Sequence, residues 1–217
     1  MEKEHGRILP TLTTVLFLFM STIHTNAQKP VLGEYFFGRQ ELASGFRFNT
    51  DGTFEFFYSY GVSDRSAHGT FNVSGDTIKL KSDKTPGNDV SIDKQYKRGD
   101  GFTIKCNAPN KLLLSYMQCI VVNGDQKEVF EANSDGVISF EMSRCDKIYI
   151  SCNVFPDIPT LIKDENNENN QFEVTLLPIV QEVSFKGIDF KIEDDSTISC
   201  YPNYIFMMEN VKFRKQQ

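Results

Sequence analysis

The pattern that most restricts this chain is a two-residue alternation of apolar and polar side chains, interrupted again and again by Asp-Gly, Gly-Asp and Asn-Gly pairs. Successive side chains of a strand point to opposite faces, so alternation marks strands with one buried and one wet face, and the interruptions supply turns. Helical spacing is nearly absent. An all-β fold is therefore expected, with an antiparallel, barrel-like meander in the N-terminal part followed by a β-sandwich. Phe46 and Phe48 fall opposite Phe56 and Phe54 across Thr50-Asp51-Gly52, and Phe71 and Val73 fall opposite Leu80 and Ile78 across Gly75-Asp76. A third hairpin sets Phe102, Ile104 and Cys106 opposite Tyr116, Leu114 and Leu112 across Ala108-Pro109-Asn110. Arg47, Asn72, Lys79 and Lys105 then occupy the wet faces, and a slip of one residue would invert every one of them.

Further candidate strands are 119–122, 129–132, 137–140, 147–152, 172–177, 182–185, 190–192 and 204–213. The block Asp164-Glu165-Asn166-Asn167-Glu168-Asn169-Asn170 has no apolar anchor and reads as a mobile loop. A soft boundary is placed near residue 117, where a Phe-rich stretch with one cysteine gives way to one that carries the other four. It separates a first domain, 28–117, from a second, 118–217.

Residues 1–27 read as a secretory signal peptide. Lys3 and Arg7 precede the apolar run Thr11 to Ile23, and Thr25-Asn26-Ala27 puts small side chains where a signal peptidase needs them, with cleavage before Gln28. The run is shorter than the roughly 20 residues a membrane span requires. The expected mature protein is exported, periplasmic or extracellular, with no membrane span of its own. The formal net charge of −6 argues against nucleic acid, because neutralising phosphates needs a basic surface. Five cysteines, Cys106, Cys119, Cys145, Cys152 and Cys200, are permitted disulfides by export. The odd number leaves at least one thiol free or paired between molecules, and the pairing itself stays open.

Gly33-Glu34-Tyr35, then Phe46-Arg47-Phe48 through Asp51-Gly52-Thr53-Phe54, then Gly69-Thr70-Phe71 through Gly75-Asp76-Thr77-Ile78-Lys79-Leu80, resemble the lipocalin-like β-meanders of exported bacterial proteins over about residues 31–116. Val121-Val122-Asn123-Gly124, with Asn133 to Phe140 and Lys147-Ile148-Tyr149-Ile150, resembles the transthyretin-like regulatory module of carboxypeptidases. The first resemblance implies a barrel able to enclose a small ligand. The second implies a noncatalytic scaffold or interaction module.

Candidate chemistry is sparse. His68 is the one histidine beyond the signal peptide, in a polar stretch that reads as an exposed loop, so a histidine-rich zinc site is excluded. The cysteines form no Cys-x-x-Cys pair, and Cys106 and Cys152 alternate with apolar neighbours, which places them in a core or in disulfides. Glu131 to Met142 imitates a calcium loop through Asn133, Asp135 and Gly136. It lacks the first aspartate and the bidentate glutamate, so a β-turn explains it better. Arg98-Gly99-Asp100 spells an integrin-type tripeptide in an expected loop, which turn composition also produces by chance. The aromatic face carries more. Phe46, Phe48, Phe54, Phe56, Tyr58 and Phe71 share one side of the meander and form the candidate ligand-binding set, with tight core packing as the plain alternative. The expectation is a noncatalytic, cofactor-free binding protein for a small apolar ligand. A structural or adhesive module that contacts a cell-envelope partner is the second reading.

Overall fold

The computed structural model describes residues 31–216; the expected signal peptide lies outside them. The chain opens with an antiparallel meander of β1 (Gly33–Arg39), β2 (Leu42–Phe48), β3 (Thr53–Tyr60), β4 (Ser63–Ser74) and β5 (Thr77–Ser82). Both N-terminal hairpins have the expected register: Phe46 pairs with Phe56 and Phe48 with Phe54, and Phe71 pairs with Leu80 and Val73 with Ile78. Gly52 adopts φ +83° in the first turn, a conformation that disfavours any side chain with a Cβ. Asp51 fixes the same turn by accepting from the Thr53 amide and hydroxyl.

The chain then leaves the meander. β6 (Val90–Tyr96), β7 (Phe102–Asn107), β8 (Met117–Asn123), β9 (Gln126–Glu131), β10 (Val137–Phe140), β11 (Lys147–Cys152), β12 (Thr160–Lys163) and β13 (Gln171–Leu176) build two four-stranded sheets, ordered β10-β7-β13-β6 and β12-β11-β8-β9. One buried core, including Ile104, Cys106, Ile138 and Val174 from the first sheet and Cys119, Val121, Ile148 and Ile150 from the second, joins them as a sandwich. Finally β14 (Asp189–Asp194), β15 (Thr197–Cys200) and β16 (Val211–Lys215) return to the meander. β14 pairs with β5 and β16 with β1, which closes an eight-stranded barrel.

The architecture is thus all-β, a barrel and a sandwich, but the strands pair across the boundary expected near residue 117. The barrel core draws on residues 31–80 and 183–213, whereas the sandwich core draws on 90–180. Hairpins announce themselves through local turn chemistry. A return across more than a hundred residues leaves no comparable local mark.

Four smaller expectations also change. The third hairpin does not form: Lys111–Tyr116 is a 3-10 turn whose Asn110 cap accepts from the Leu112 amide, and Leu112 is 78% exposed. β7 instead pairs antiparallel with β10 and parallel with β13. Glu182 makes only an isolated bridge to Ser66, and of 204–213 only the last residues enter a strand. The side chain of Asn203 accepts from the Ile205 and Phe206 amides and so turns the preceding segment back on itself. The Asp164–Asn170 block is tethered, since Asn170 is buried and Asn167 donates to Gln95.

The barrel interior is filled by rings. Phe46 lies 4.7 Å from Phe56, 4.9 Å from Phe190, 5.1 Å from Phe213 and 5.5 Å from Phe185, centroid to centroid. Phe185 reaches this position at φ +50°, in the left-handed region that a residue with a bulky side chain seldom occupies, and the ring packing offsets that strain. Phe46→Ala is expected to lower unfolding free energy by about 3–5 kcal/mol in urea titration, the loss typical of a fully packed Phe. A ring lining an open ligand cavity would cost far less.

Candidate functional site

The inward phase of β4 begins with Ser63, Arg65 and Ala67, all buried. An arginine in this phase is unusual, and the structure satisfies it across the junction between barrel and sandwich. Arg65 donates from one terminal nitrogen to the Pro156 carbonyl at 2.6 Å, and from the other to the Glu182 carbonyl at 3.2 Å and to Asp157 at 3.4 Å. Lys84, which follows β5, meets Asp89 at 2.7 Å and Asp157 at 3.1 Å and donates to the Glu182 carbonyl at 2.8 Å. Asp157 also accepts from the Ser184 hydroxyl at 2.5 Å and the Ser184 amide at 2.9 Å. Two cations and two carboxylates are thereby closed off from water with balanced charge. An incomplete set would leave a buried charge without a partner.

The titration of the two carboxylates differs. Burial pushes Asp157 up, but the Ser184 hydroxyl, Lys84 and the Ile158 and Ser184 amides outweigh it and hold the group below the ordinary aspartate range. Burial raises Asp89 above that range despite Lys84. Tyr204, whose hydroxyl lies 3.3 Å from that of Ser184, is pushed up to about 12, chiefly by burial. Ser184 donates its hydroxyl hydrogen bond to a carboxylate held ionised, which locks the hydroxyl's orientation. His68 stands outward on β4, 60% exposed in its side chain and 3.5 Å from Asp83.

Beside this lock is a cleft of about 290 Å³ at one end of the barrel. Leu42, Tyr58 and Tyr60 from β2 and β3 border it, with Ser63 and Arg65 from β4, Val154 and Pro156 from the sandwich, and Ile205, Met207 and Met208 from the segment before β16. Tyr60 and Met207 are open to solvent, at 50% and 72% exposure. Tyr58 is half-buried, and its phenol is raised by burial first, with Arg65 opposing and Tyr60 adding. Arg65 Nε is buried without a hydrogen-bond partner.

The six aromatic residues expected to form a ligand pocket divide. Phe46, Phe48, Phe54 and Phe56 are buried in the packed barrel core, and Phe71 lies against Phe48 at 4.9 Å. Phe46 and Phe56 also border a shallow depression of about 190 Å³, shared with Glu34, Phe36, Gly45, Arg47, Glu55 and Phe57. Tyr58 alone of the six borders the cleft. Sequence reasoning missed Tyr60's neighbours from the far end of the chain, and also Arg65, whose signal was its in-phase spacing with Ser63 and Ala67. Another depression, of about 630 Å³, runs along β14 to β16, where Lys191 is already paired with Glu193 and Ser199 donates to Glu193. Its lining mixes both signs of charge, from Asp76, Asp189, Lys191, Glu193, Glu209 and Lys212, with Phe190, Tyr201, Pro202 and Val211. Among the described residues no group of histidine, cysteine or carboxylate side chains is arranged to hold a metal. No helix there is long and apolar enough to cross a membrane. All five cysteines are buried free thiols, and burial pushes Cys106, Cys119 and Cys200 up to about 12.

Asp157→Asn should cost about 3–5 kcal/mol at neutral pH, because it strips a partner from two buried cations. Asp157 has its pKa lowered by folding, so its contribution is complete above the unfolded value, about pH 4, and is lost as pH falls through the folded value. Urea titrations across this range should show the gap between wild type and variant narrowing with acid. No family model matches this chain, and neither a curated protein nor a solved structure does so.

Proposed function

We propose that this chain is an exported, noncatalytic binding protein that takes a small apolar ligand in the cleft at the end of the barrel. One observation carries the reading: an apolar concavity framed by Leu42, Tyr58, Tyr60, Ile205, Met207 and Met208 stays open to solvent where the barrel interior is filled. Its volume sits near the lower bound for small-molecule sites, roughly 300 Å³, which favours a ligand the size of a single ring or a short aliphatic chain. Two methionines suit such a site, because their unbranched, polarisable side chains adapt to an irregular guest. Export is supported by the charged, apolar and small-residue pattern of residues 1–27.

Native mass spectrometry of the protein exported from its own host should reveal a reproducible small-molecule adduct. In the Tyr60→Ala/Met207→Ala double variant, affinity for that molecule should fall by about tenfold or more, the equivalent of losing part of one buried aromatic contact. The melting temperature should hardly move, since both side chains are largely exposed. A bare mature mass, or an adduct indifferent to these substitutions, would falsify the reading.

A further inference from the structure

The sheet order β10-β7-β13-β6 makes the connection from β6 to β7 step over the start of β13. Such a crossing turns backbone groups of the loop inward, where each needs a partner. Asn170, immediately before β13 and 1% exposed, supplies them. Its Nδ2 donates to the carbonyls of Gly101 at 2.7 Å, Gly99 at 3.1 Å and Arg98 at 3.3 Å, two hydrogens shared over three acceptors. Its Oδ1 accepts from the Arg98 amide at 2.9 Å. The Asn170 backbone closes the arrangement by bonding to Tyr96 and Thr103. One buried side chain thus sets the path of the loop from within.

The outside of the same loop is unspent. Arg98, Gly99 and Asp100 are exposed, and Gly99 sits at φ +61° with open space where a Cβ would stand. Among the described residues, the Arg98 guanidinium and the Asp100 carboxylate make no hydrogen bond or ion pair, with each other or with anything else. Surface charges of this kind commonly sit on mobile loops, and a partner must then supply the free energy that orders them. A clamped backbone removes much of that cost before contact.

We infer that this loop is a docking site for a receptor that displays a divalent cation with an open coordination position beside an acidic pocket. The Asp100 carboxylate is the hard oxygen ligand such a cation takes, and the Arg98 guanidinium is the planar donor a carboxylate pocket accepts in a fork. Gly99 between them leaves no side chain to hold the surfaces apart. The partner chemistry is that of adhesion receptors of the integrin type, which the tripeptide spells in sequence and the Asn170 clamp presents in space. This interface is independent of the proposed ligand site, because no residue of the loop borders the cleft.

The test is binding of the immobilised mature protein to the purified ectodomain of an integrin that recognises linear Arg-Gly-Asp peptides, in magnesium or manganese and then in chelator. Saturable binding should disappear with the cation. It should weaken by about tenfold or more in Arg98→Ala and in Asp100→Glu, which keeps the charge but displaces the carboxylate by one methylene. The intact protein should also bind at least about tenfold more tightly than the linear peptide of residues 97–102, the margin that preorganisation supplies. Both substitutions are on exposed side chains, so far-UV circular dichroism should be unchanged. Absent or cation-independent binding, an unaffected Asp100→Glu, or equal affinity for the linear peptide each overturns the inference. None of these outcomes bears on ligand occupancy of the cleft.

Discussion

Two positive and two negative side chains share one dry volume at the junction of barrel and sandwich, and the arrangement of the whole molecule follows from keeping them together. Arg65 comes from a barrel strand and Lys84 from the exit of the barrel, while Asp89 and Asp157 come from the sandwich side. Apolar contacts tolerate sliding, since one methyl group replaces another at little cost. Buried charges do not, because a shift of an ångström or two forfeits hydrogen bonds that nothing else in the interior can restore. The network therefore sets the angle at which the sandwich meets the barrel. The cleft, whose walls come from both, inherits its shape from that angle.

The barrel illustrates a second constraint. A closed eight-stranded sheet has an interior just wide enough either to fill with side chains or to hold one small guest. Here Phe46, Phe56, Phe185, Phe190, Phe206 and Phe213 fill it, with edge-to-face and tilted packing throughout. The rings come from both ends of the chain. Closure and filling are consequently one event, and the open space lies at the end of the barrel instead of along its axis.

How much of this could be read from residues alone depends on the range over which each signal acts. The β2-β3 and β4-β5 registers were legible because Asp51-Gly52 and Gly75-Asp76 fix both turn and pairing within a few residues. The alternation of Leu112, Leu114 and Tyr116 imitated a strand, but Asn110 capped a tight helical turn there and overrode the pattern. The pairing of β5 with β14 and of β1 with β16 was not legible, since nothing local encodes which distant strand will arrive. At the site, Tyr58 was visible as part of an aromatic face. Its partners Ile205, Met207 and Met208 were hidden by distance along the chain. Arg65 was readable in principle from its phase with Ser63 and Ala67, yet the polar letters around it suggested a loop. Asn170 lay in a block whose composition resembled solvated coil, and only the crossing of β6 to β7 over β13 explains why an amide side chain is needed there.

The insertion of the sandwich between β5 and β14 has a consequence for the chain in motion. During synthesis the first five barrel strands emerge well before the three that complete the sheet, so two strand edges and a row of phenylalanines wait unpaired while more than a hundred residues pass. Such a half-barrel has the attributes of an aggregation-prone intermediate: high contact order, open edges and exposed rings. The sandwich can fold in the interval from pairings made wholly within its own segment, and the pairing of β6 with β13 draws the ends of that segment together. What looks in the finished molecule like an appended module then acts, in time, as the loop-closing device that brings the last strands to the first.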